Sequence, residues 1–453
     1  MSTEKNGAQG EAISNYQKLL ETYPDHIPSH YNLARLFAQQ PDWPNAIQHL
    51  EKVTTLAPQF PAGFYNLAIA YLQTQAIANA ISALENALII YPDYIEAHQM
   101  LGGIAFKQQH WETAQLHFDV ILAIDPYHAT AHLNKGILLL QQHDLTGAES
   151  HLQQALDIDP TLSEAYYHLG VIAQAQQKND AAITYFENAY DRDPKHFGAC
   201  YNLGLLYKEK NQFKIAQRYF ALAKALQPDN PHVAFMEAAL SQTQLPIKAP
   251  ATFVAELFDH YAPYYDTHLT ETLQYQVPMA LRDAVLENLP NPPEQIDILD
   301  LGCGTGLSGL PFKAWAKNLI GVDISSAMLK IAKGRNVYTE LHQQDVFDYL
   351  KTKEAQFDII IAADLFGYIG ALEDFFSLAA RLLKPGGWLV FSAEITIEQD
   401  YQLQTCARFA HRLDYFTRLA QQHGLALHFN KPIVLRYQNK VPVEGRILGL
   451  THL

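Results

Sequence analysis

The chain has 453 residues, too many for one ordinary globular core, so two or three domains are expected. Its 48% hydrophobic and 17% charged residues exclude a disordered chain, and a formal charge of −15 argues against nucleic-acid or anionic-membrane partners. Neither half is a basic module: residues 1–244 carry 14 basic and 24 acidic side chains, and the remainder carry 18 and 23.

From the first turn onward, prolines recur every 34 residues: Pro24, Pro58, Pro92, Pro126, Pro160, Pro194 and Pro228. A fixed period of that length marks a stack of helix–turn–helix units. With Ile27 as position one, position 8 is small in every unit (Ala34, Ala68, Gly102, Gly136, Gly170, Gly204). Position 20 is always alanine, from Ala46 to Ala216, and position 24 is large (Leu50, Leu84, Phe118, Leu152, Phe186, Phe220). Small against large at fixed offsets lets antiparallel helices nest, and each proline ends the second helix of its unit. These positions resemble the tetratricopeptide repeat family, apart from a missing tryptophan at position 4. Six full units cover 27–230, with a half unit before and a partial helix after as caps, so the all-α solenoid is expected over residues 8–241.

The inner groove should be lined by first helices, where positions 5 and 6 include Tyr31-Asn32, Tyr65-Asn66, Leu133-Asn134 and Tyr201-Asn202. An asparagine amide both donates and accepts, so a ladder of Asn32, Asn66, Asn134 and Asn202 could hold a peptide backbone. That pattern is similar to the asparagine ladder in the repeats of a protein glycosyltransferase, interrupted here at Met100 and His168. Alternatively, Tyr-Asn is a packing preference of the repeat. Position-4 histidines His30, His98 and His132 read as fillers of the helix–helix contact, and no metal is implied.

Between Leu240 and Thr252 the repeat register is lost and Pro246 and Pro250 appear, which places a linker at 242–252. Beyond it, strand and helix patterns alternate, as in a parallel sheet with crossover helices. The apolar strand Ile296–Leu301 runs into Asp300-Leu301-Gly302-Cys303-Gly304-Thr305-Gly306, followed by an expected helical stretch to Ala316. Three glycines at that junction let the backbone turn sharply and a ligand approach closely. A second strand, Leu319–Val322, ends at Asp323 and Ile324, where an acid can accept both ribose hydroxyls of a nucleoside. Asp345 and Val346 follow a third strand, Phe357–Ala362 reads as a fourth, and Leu383-Lys384-Pro385-Gly386-Gly387 turns into Trp388–Ser392. Ile433–Tyr437 and Arg446–Leu450, joined through Asn439–Pro442, read as a final antiparallel hairpin.

In order and spacing these motifs resemble class I S-adenosylmethionine-dependent methyltransferases over 253–453. The resemblance implies a Rossmann-like α/β domain, a seven-stranded sheet whose last strand is antiparallel, and S-adenosylmethionine as cofactor. It implies a cofactor site of Asp300, Gly302, Cys303, Gly304, Gly306, Asp323, Ile324, Asp345 and Val346. Phe258-Asp259-His260-Tyr261-Ala262-Pro263-Tyr264-Tyr265-Asp266 is similar to the helical lid of methyltransferases of quinone and biotin biosynthesis, which places lid helices at 253–289 and Tyr261 and Tyr265 over the cofactor. Phe258 and Tyr261 could instead be ordinary core residues. The whole chain resembles bacterial methyltransferases with an N-terminal tetratricopeptide array.

Candidate reacting groups follow strand ends, where open α/β sheets bind ligands. Asp364 and Tyr368 follow the fourth strand, and His411, in Arg408-Phe409-Ala410-His411-Arg412 at the start of the last helix, is a candidate base or a surface residue. Cys303 reads as a small, backbone-permissive residue. The leading expectation is methyl transfer to a protein or peptide captured by the groove, with Tyr31, Tyr65 and Tyr201 beside the asparagines. The alternatives are a small or carrier-bound metabolite, with the repeats as a docking module, and an inactive binding scaffold. Cys200, Cys303 and Cys406 lack paired spacing, and neither Met1–Gly10 nor any apolar run suggests secretion or a membrane span, so a cytoplasmic protein is expected.

Overall fold

A computed structural model describes residues 2–241, 245–289, 294–354, 356–438 and 441–453. They form two compact units, Met1–Ala199 and Cys200–Leu453.

In the first unit the helix Ser2–Thr22 precedes pairs of 13- and 14-residue helices, beginning with Ile27–Gln39 and Trp43–Leu56 and ending with Ser163–Ala175 and Asn179–Arg192. The small residues at position 8 meet the large ones at position 24. A Cβ added at Gly102 would lie 2.6 Å from the Phe118 ring, one at Gly136 2.7 Å from Leu152, and one at Gly170 2.6 Å from Phe186. Position-20 alanines are wholly buried at this seam. Helices of a pair are joined by a residue in the left-handed region: Gln75, Gln109, His143 and Gln177 have φ of 60°, 61°, 63° and 60°. After Gln75 the amide of Ala76 donates to Tyr71 O, and after His143 that of Asp144 donates to Leu139 O, both at 2.9 Å. This is the turn that usually favours glycine, and no sequence signal announced it.

Among its described residues the second unit holds the last repeat helices, Phe213–Leu226 and Pro231–Ser241, and nine strands. These are β1 (Ile296–Leu301), β2 (Ala316–Asp323), β3 (Glu340–Gln343), β4 (Phe357–Ala362), β5 (Leu383–Glu394), β6 (Tyr401–Leu403), β7 (Phe409–His411), β8 (Leu425–Gln438) and β9 (Val441–His452). Seven form one sheet in the order β3-β2-β1-β4-β5-β9-β8. Neighbours among β1–β5 are parallel, while β9 runs antiparallel to β5 and β8. That is the expected Rossmann-like sheet with an antiparallel last strand. Apolar residues of β1, β4 and β5 pack on both sheet faces, against the helices Glu373–Leu382 and Leu413–Gln422 on one and Val277–Glu287 on the other.

Three features differ from the sequence expectation. The stretch after Gly306 is made of turns and a short 3-10 helix, Leu310–Phe312, and β2 begins at Ala316. Gly306, Gly309 and Pro311 weaken helix there, and Tyr338 fills the space a Cβ on Gly309 would need. The final hairpin is longer than read; Asn439 and Lys440 in its expected connection lie outside the described residues. A second, two-stranded sheet pairs β6 with β7. Its Leu403, Ala407 and Phe409 pack with Phe220, Phe235 and Met236 of the terminal repeat helices. Contacts of this kind put residues from Cys200 onward with the sheet domain, although the repeat register continues to 230 and the linker was expected at 242–252. Of that linker, 242–244 lie outside the described residues.

Candidate active site

At the carboxyl ends of β1, β2 and β4 lies a cleft with about 100 Å³ of space open to water-sized groups, at the strand ends where open α/β sheets bind ligands. Gly302 and Gly304 form its floor with φ of 71° and 53°, and a Cβ on Gly304 would meet nothing within 4 Å. The glycine turn thus leaves backbone exposed where a ligand would rest. Gly306 (φ 92°) packs behind, against Tyr338 and Arg335.

Asp300, at the end of β1, is fully buried. Its Oδ2 accepts from Ser308 Oγ and Tyr338 OH, each at 2.7 Å, while Oδ1 has no partner. Burial raises its pKa to about 6. Asp323, at the end of β2, joins the two loops: Oδ2 accepts from Gly304 N at 2.8 Å and Oδ1 from Ser325 N at 2.9 Å. Its pKa is also raised, mainly by burial. Asp323 and Ile324 line the cleft, as do Asp345 and Val346. Asp345 Oδ1 caps the following helix at Phe347 N (2.8 Å), and its Oδ2 faces Lys248 Nζ at 3.3 Å. Lys248 belongs to the segment read as linker, and its ammonium lies 4.9 Å from the Phe347 ring centre. Lys248, Ala249 and Ala251 all line the cleft.

The lid motif begins on the helix Ala251–Tyr261. Phe258 and Tyr265 line the cleft; Tyr261 stands behind Tyr265, ring centres 5.0 Å apart, and its hydroxyl pairs with His268 Nδ1. The motif's two acids, to which sequence reasoning gave no role, fasten it down. Asp259 Oδ1 accepts from Ser325 Oγ at 2.5 Å and from Ala327 N at 3.0 Å, at the start of the helix Ser326–Gly334. Such N-terminal amides favour a carboxylate. Asp266 accepts from Thr305 Oγ (2.5 Å) in the glycine turn and pairs with Arg335.

At the other end of the cleft stand Asp364, held at φ 60°, and Tyr368, whose ring lies 5.3 Å from that of Phe258. Arg408 donates to both, Nη2 to Asp364 Oδ1 at 2.6 Å and Nη1 to Tyr368 OH at 2.9 Å. Burial raises the Tyr368 phenol pKa, against the opposing pull of Arg408.

His411 does not reach the cleft, contrary to its expected role as a base. It ends strand β7, wholly buried, with Nε2 against Gly370 O at 3.0 Å and its ring stacked on Tyr415. Burial lowers its pKa to about 4. Cys303 is buried as well; its Sγ fills the space a Cβ on Gly321 would need, and burial drives the thiol pKa up.

In the repeats, the groove asparagines are partly engaged. Asn66 Nδ2 donates to Tyr31 OH at 2.7 Å, and Asn32 Nδ2 to Tyr16 OH at 3.3 Å. Asn134 is half-buried, as is Asn202. Tyr65 packs on Tyr94, and Tyr201 on Phe220. Position-4 histidines do more than fill space: Nδ1 of His30, His98 and His132 meets Nδ1 of His49, His117 and His151 at 2.8, 2.9 and 2.9 Å. Each first histidine also reaches a repeat proline carbonyl, Pro24, Pro92 or Pro126, through Nε2. No group of three or more His, Cys, Asp or Glu among the described residues could hold a metal ion.

A family model described as a methyltransferase domain matches residues 273–428, and tetratricopeptide repeat models match 6–61, 31–95, 100–163 and 173–240. The ubiquinone biosynthesis O-methyltransferase of Hydrogenovibrio crunogenus is 30% identical over 121 residues, 26% of this chain and 49% of that protein. Human methyltransferase-like protein 27 is 34% identical over 119 residues, 26% of this chain and 46% of that one. A ubiquinone biosynthesis O-methyltransferase of Brucella ovis is 26% identical over 157 residues, 32% of this chain and 62% of the relative. The chain therefore spans less than two thirds of each. Among solved structures, a magnesium protoporphyrin IX methyltransferase from Synechocystis PCC 6803 aligns at 16% identity and TM-score 0.35, over 45% of this chain and 99% of that one. A tetratricopeptide repeat protein with an unusual peptide-binding site aligns at 20% identity and TM-score 0.34, over 43% and 98%.

Proposed function

Because the chain joins tetratricopeptide repeats to a methyltransferase domain, we propose that it transfers a methyl group from S-adenosylmethionine to a protein or peptide acceptor. The repeats over 8–241 capture the acceptor or its carrier, 253–453 perform the transfer, and 242–252 join them. The observation that carries the cofactor assignment is the pairing of an open glycine turn with two buried acids. Asp323, which lines the cleft, can accept ribose hydroxyls, and Asp300 behind it braces the turn through Ser308 and Tyr338. The cofactor supplies an electrophilic methyl; the protein aligns the acceptor and excludes water. Phe258 and Tyr265 roof the site, and Asp364 and Tyr368 contact the acceptor. Asp345, whose Oδ2 faces Lys248, would hold the adenine amino group of the cofactor. No histidine lines the cleft among the described residues, so any proton the acceptor loses would pass to a carboxylate such as Asp364.

A second reading, a small or carrier-bound metabolite with the repeats as a docking module, is favoured by the amides of Asn32 and Asn66 being engaged with tyrosine hydroxyls. One experiment tests both. Calorimetric titration with S-adenosylmethionine and S-adenosylhomocysteine should show both binding, and Asp323→Asn should weaken them about 10-fold or more, as losing a charged acceptor does. Labelled methyl transferred in a lysate should then appear in protein; label confined to small molecules establishes the second reading. Binding without any transfer leaves a scaffold, and no binding by folded protein removes the methyl-transfer reading altogether.

A further inference from the structure

The loop after β4, Asp364–Ala371, forms the acceptor end of the cleft, and two separate elements hold it. On one side lies the strap that leaves the last repeat helix. The amides of Gly370 and Ala371 donate to Ile247 O at 2.8 and 2.9 Å, and Ala249 N donates to Tyr368 O at 2.9 Å. On the other side the β6–β7 hairpin inserts Arg408. Its guanidinium reaches Tyr368 OH and Asp364, and its Nε donates to Glu394 Oε1 at 2.8 Å. Arg436 also holds Glu394 Oε1, at 2.7 Å, so two cations and two carboxylates balance. The guanidinium lies 4.9 Å from the Tyr368 ring centre, and a side chain on Gly367 would collide with it.

The backbone on both sides of this contact is strained. Asp364 and Ala407 adopt φ of 60° and 65°, which costs non-glycine residues roughly 1 kcal/mol each and persists only where surroundings enforce it. A planar fork reaches these three acceptors in a fixed geometry from three separate nitrogens, whereas a lysine's donors all radiate from one nitrogen on a flexible stem. Behind Arg408, the hairpin is seated on the terminal repeat helices. Phe409 lies 6.1 Å from Phe235, ring centre to ring centre, and Cys406 O faces Lys208 Nζ at 3.5 Å. Leu245, at the start of the strap, packs in the same cluster.

We propose that Arg408 is a positioning residue that fixes Asp364 and Tyr368 at the acceptor end of the cleft and ties them, through the β6–β7 hairpin, to the last repeat helices. The role assigned to the loop rests on the methyl-transfer reading; the mechanical linkage rests on contacts within residues 200–453 alone. It follows that the terminal repeat is part of the acceptor site's scaffold.

The test uses full-length Arg408→Lys, which keeps the charge and loses the fork, and Phe235→Ala, which loosens the hairpin's seat away from the cleft. Hydrogen exchange is followed over 364–371, with β1 as the internal reference, alongside S-adenosylhomocysteine titration and labelled-methyl transfer. In Arg408→Lys, exchange over 364–371 should rise about 10-fold or more while β1 stays protected. Affinity for S-adenosylhomocysteine should change by less than about 3-fold while transfer falls about 10-fold or more, the split expected of an acceptor-side defect. Phe235→Ala should shift exchange in the same direction, less far. Unchanged exchange over 364–371 in Arg408→Lys overturns the proposal, and so does a loss of protection shared equally with β1. If the unaltered protein binds no S-adenosylhomocysteine and transfers no methyl, the methyl-transfer reading fails, and the exchange result still decides the linkage.

Discussion

The repeat seam and the cleft are built on opposite plans. At the seam one contact recurs with the period of the sequence: Gly102 on Phe118, Gly136 on Leu152, Gly170 on Phe186. In the cleft nothing recurs; the strap, the lid, the glycine turn and the loop after β4 each supply one wall. A repeated contact is redundant, and damage to one copy stays mainly with its neighbours. A convergent site has no spare copy. The two regions should therefore fail differently, and acid should separate them most.

In the first unit, desolvation together with the neighbouring histidine lowers the pKa of His117 to about 4; His151 falls equally far, with Lys135 contributing before His132. Histidines lowered from 6.5 bind protons in the unfolded chain before the folded one, so their neutral pairs stabilise the fold above pH 6.5 and lose that contribution as pH falls toward 4. Protonation also puts two N–H groups face to face across each Nδ1–Nδ1 contact. In the second unit His411 has the same sign, worth roughly 3 kcal/mol by the shift of a wholly buried group. Asp300, raised from 3.8 to about 6, has the opposite sign: the folded state takes up its proton first, and stability is gained as pH falls through 6 toward 4. Asp323 is shifted in the same direction. Scanning calorimetry from pH 6.5 to 4.5 should show the repeat transition falling by roughly 5 °C or more relative to that of the catalytic unit. Parallel shifts of both transitions would erase the distinction.

Next in size are two adjacent glycines. Gly102→Val drives a branched side chain into the Phe118 ring and should cost about 1–3 kcal/mol, through overpacking. Gly103 has open space where its Cβ would be, so Gly103→Ala should add about 0.5–1 kcal/mol through helix propensity. Urea unfolding of the two variants measures both. Equal effects would mean the seam is looser than its geometry.

The same contrast governs what the sequence disclosed. The seam was readable because its partners lie 16 residues apart in every repeat, so Gly170 and Phe186 announced each other. The parallel sheet with its antiparallel last strand was readable because the acids and glycines at its strand ends, in order and spacing, resemble a known family. Arg408 and Lys248 were not, since their partners Asp364 and Asp345 lie 44 and 97 residues away with no period to connect them. His411 was misplaced because the three-residue strands β6 and β7 are too short for an alternating pattern, so β7 read as the start of the next helix. The histidine pairs did leave a signal: His30 and His49, His98 and His117, and His132 and His151 are each 19 residues apart. Position 4 alone conceals it.

The smallest expected effect bears on whether the asparagine ladder faces a ligand or its own fold. Asn66 Nδ2 and Tyr31 OH share one bond between successive repeats. Asn66→Ala and Tyr31→Phe each remove it, and each should cost about 0.5–1.5 kcal/mol in urea unfolding. The double variant should cost less than the sum, because the two residues lose a single interaction. Peptide capture separates the roles. Tyr31→Phe frees the amide and leaves it in the groove, whereas Asn66→Ala deletes it. If the ladder holds an acceptor backbone, capture of labelled protein should fall with Asn66→Ala and persist with Tyr31→Phe. An equal loss in both would make the amide a brace between repeats, with its neighbours Asn32 and Tyr16 in the same role.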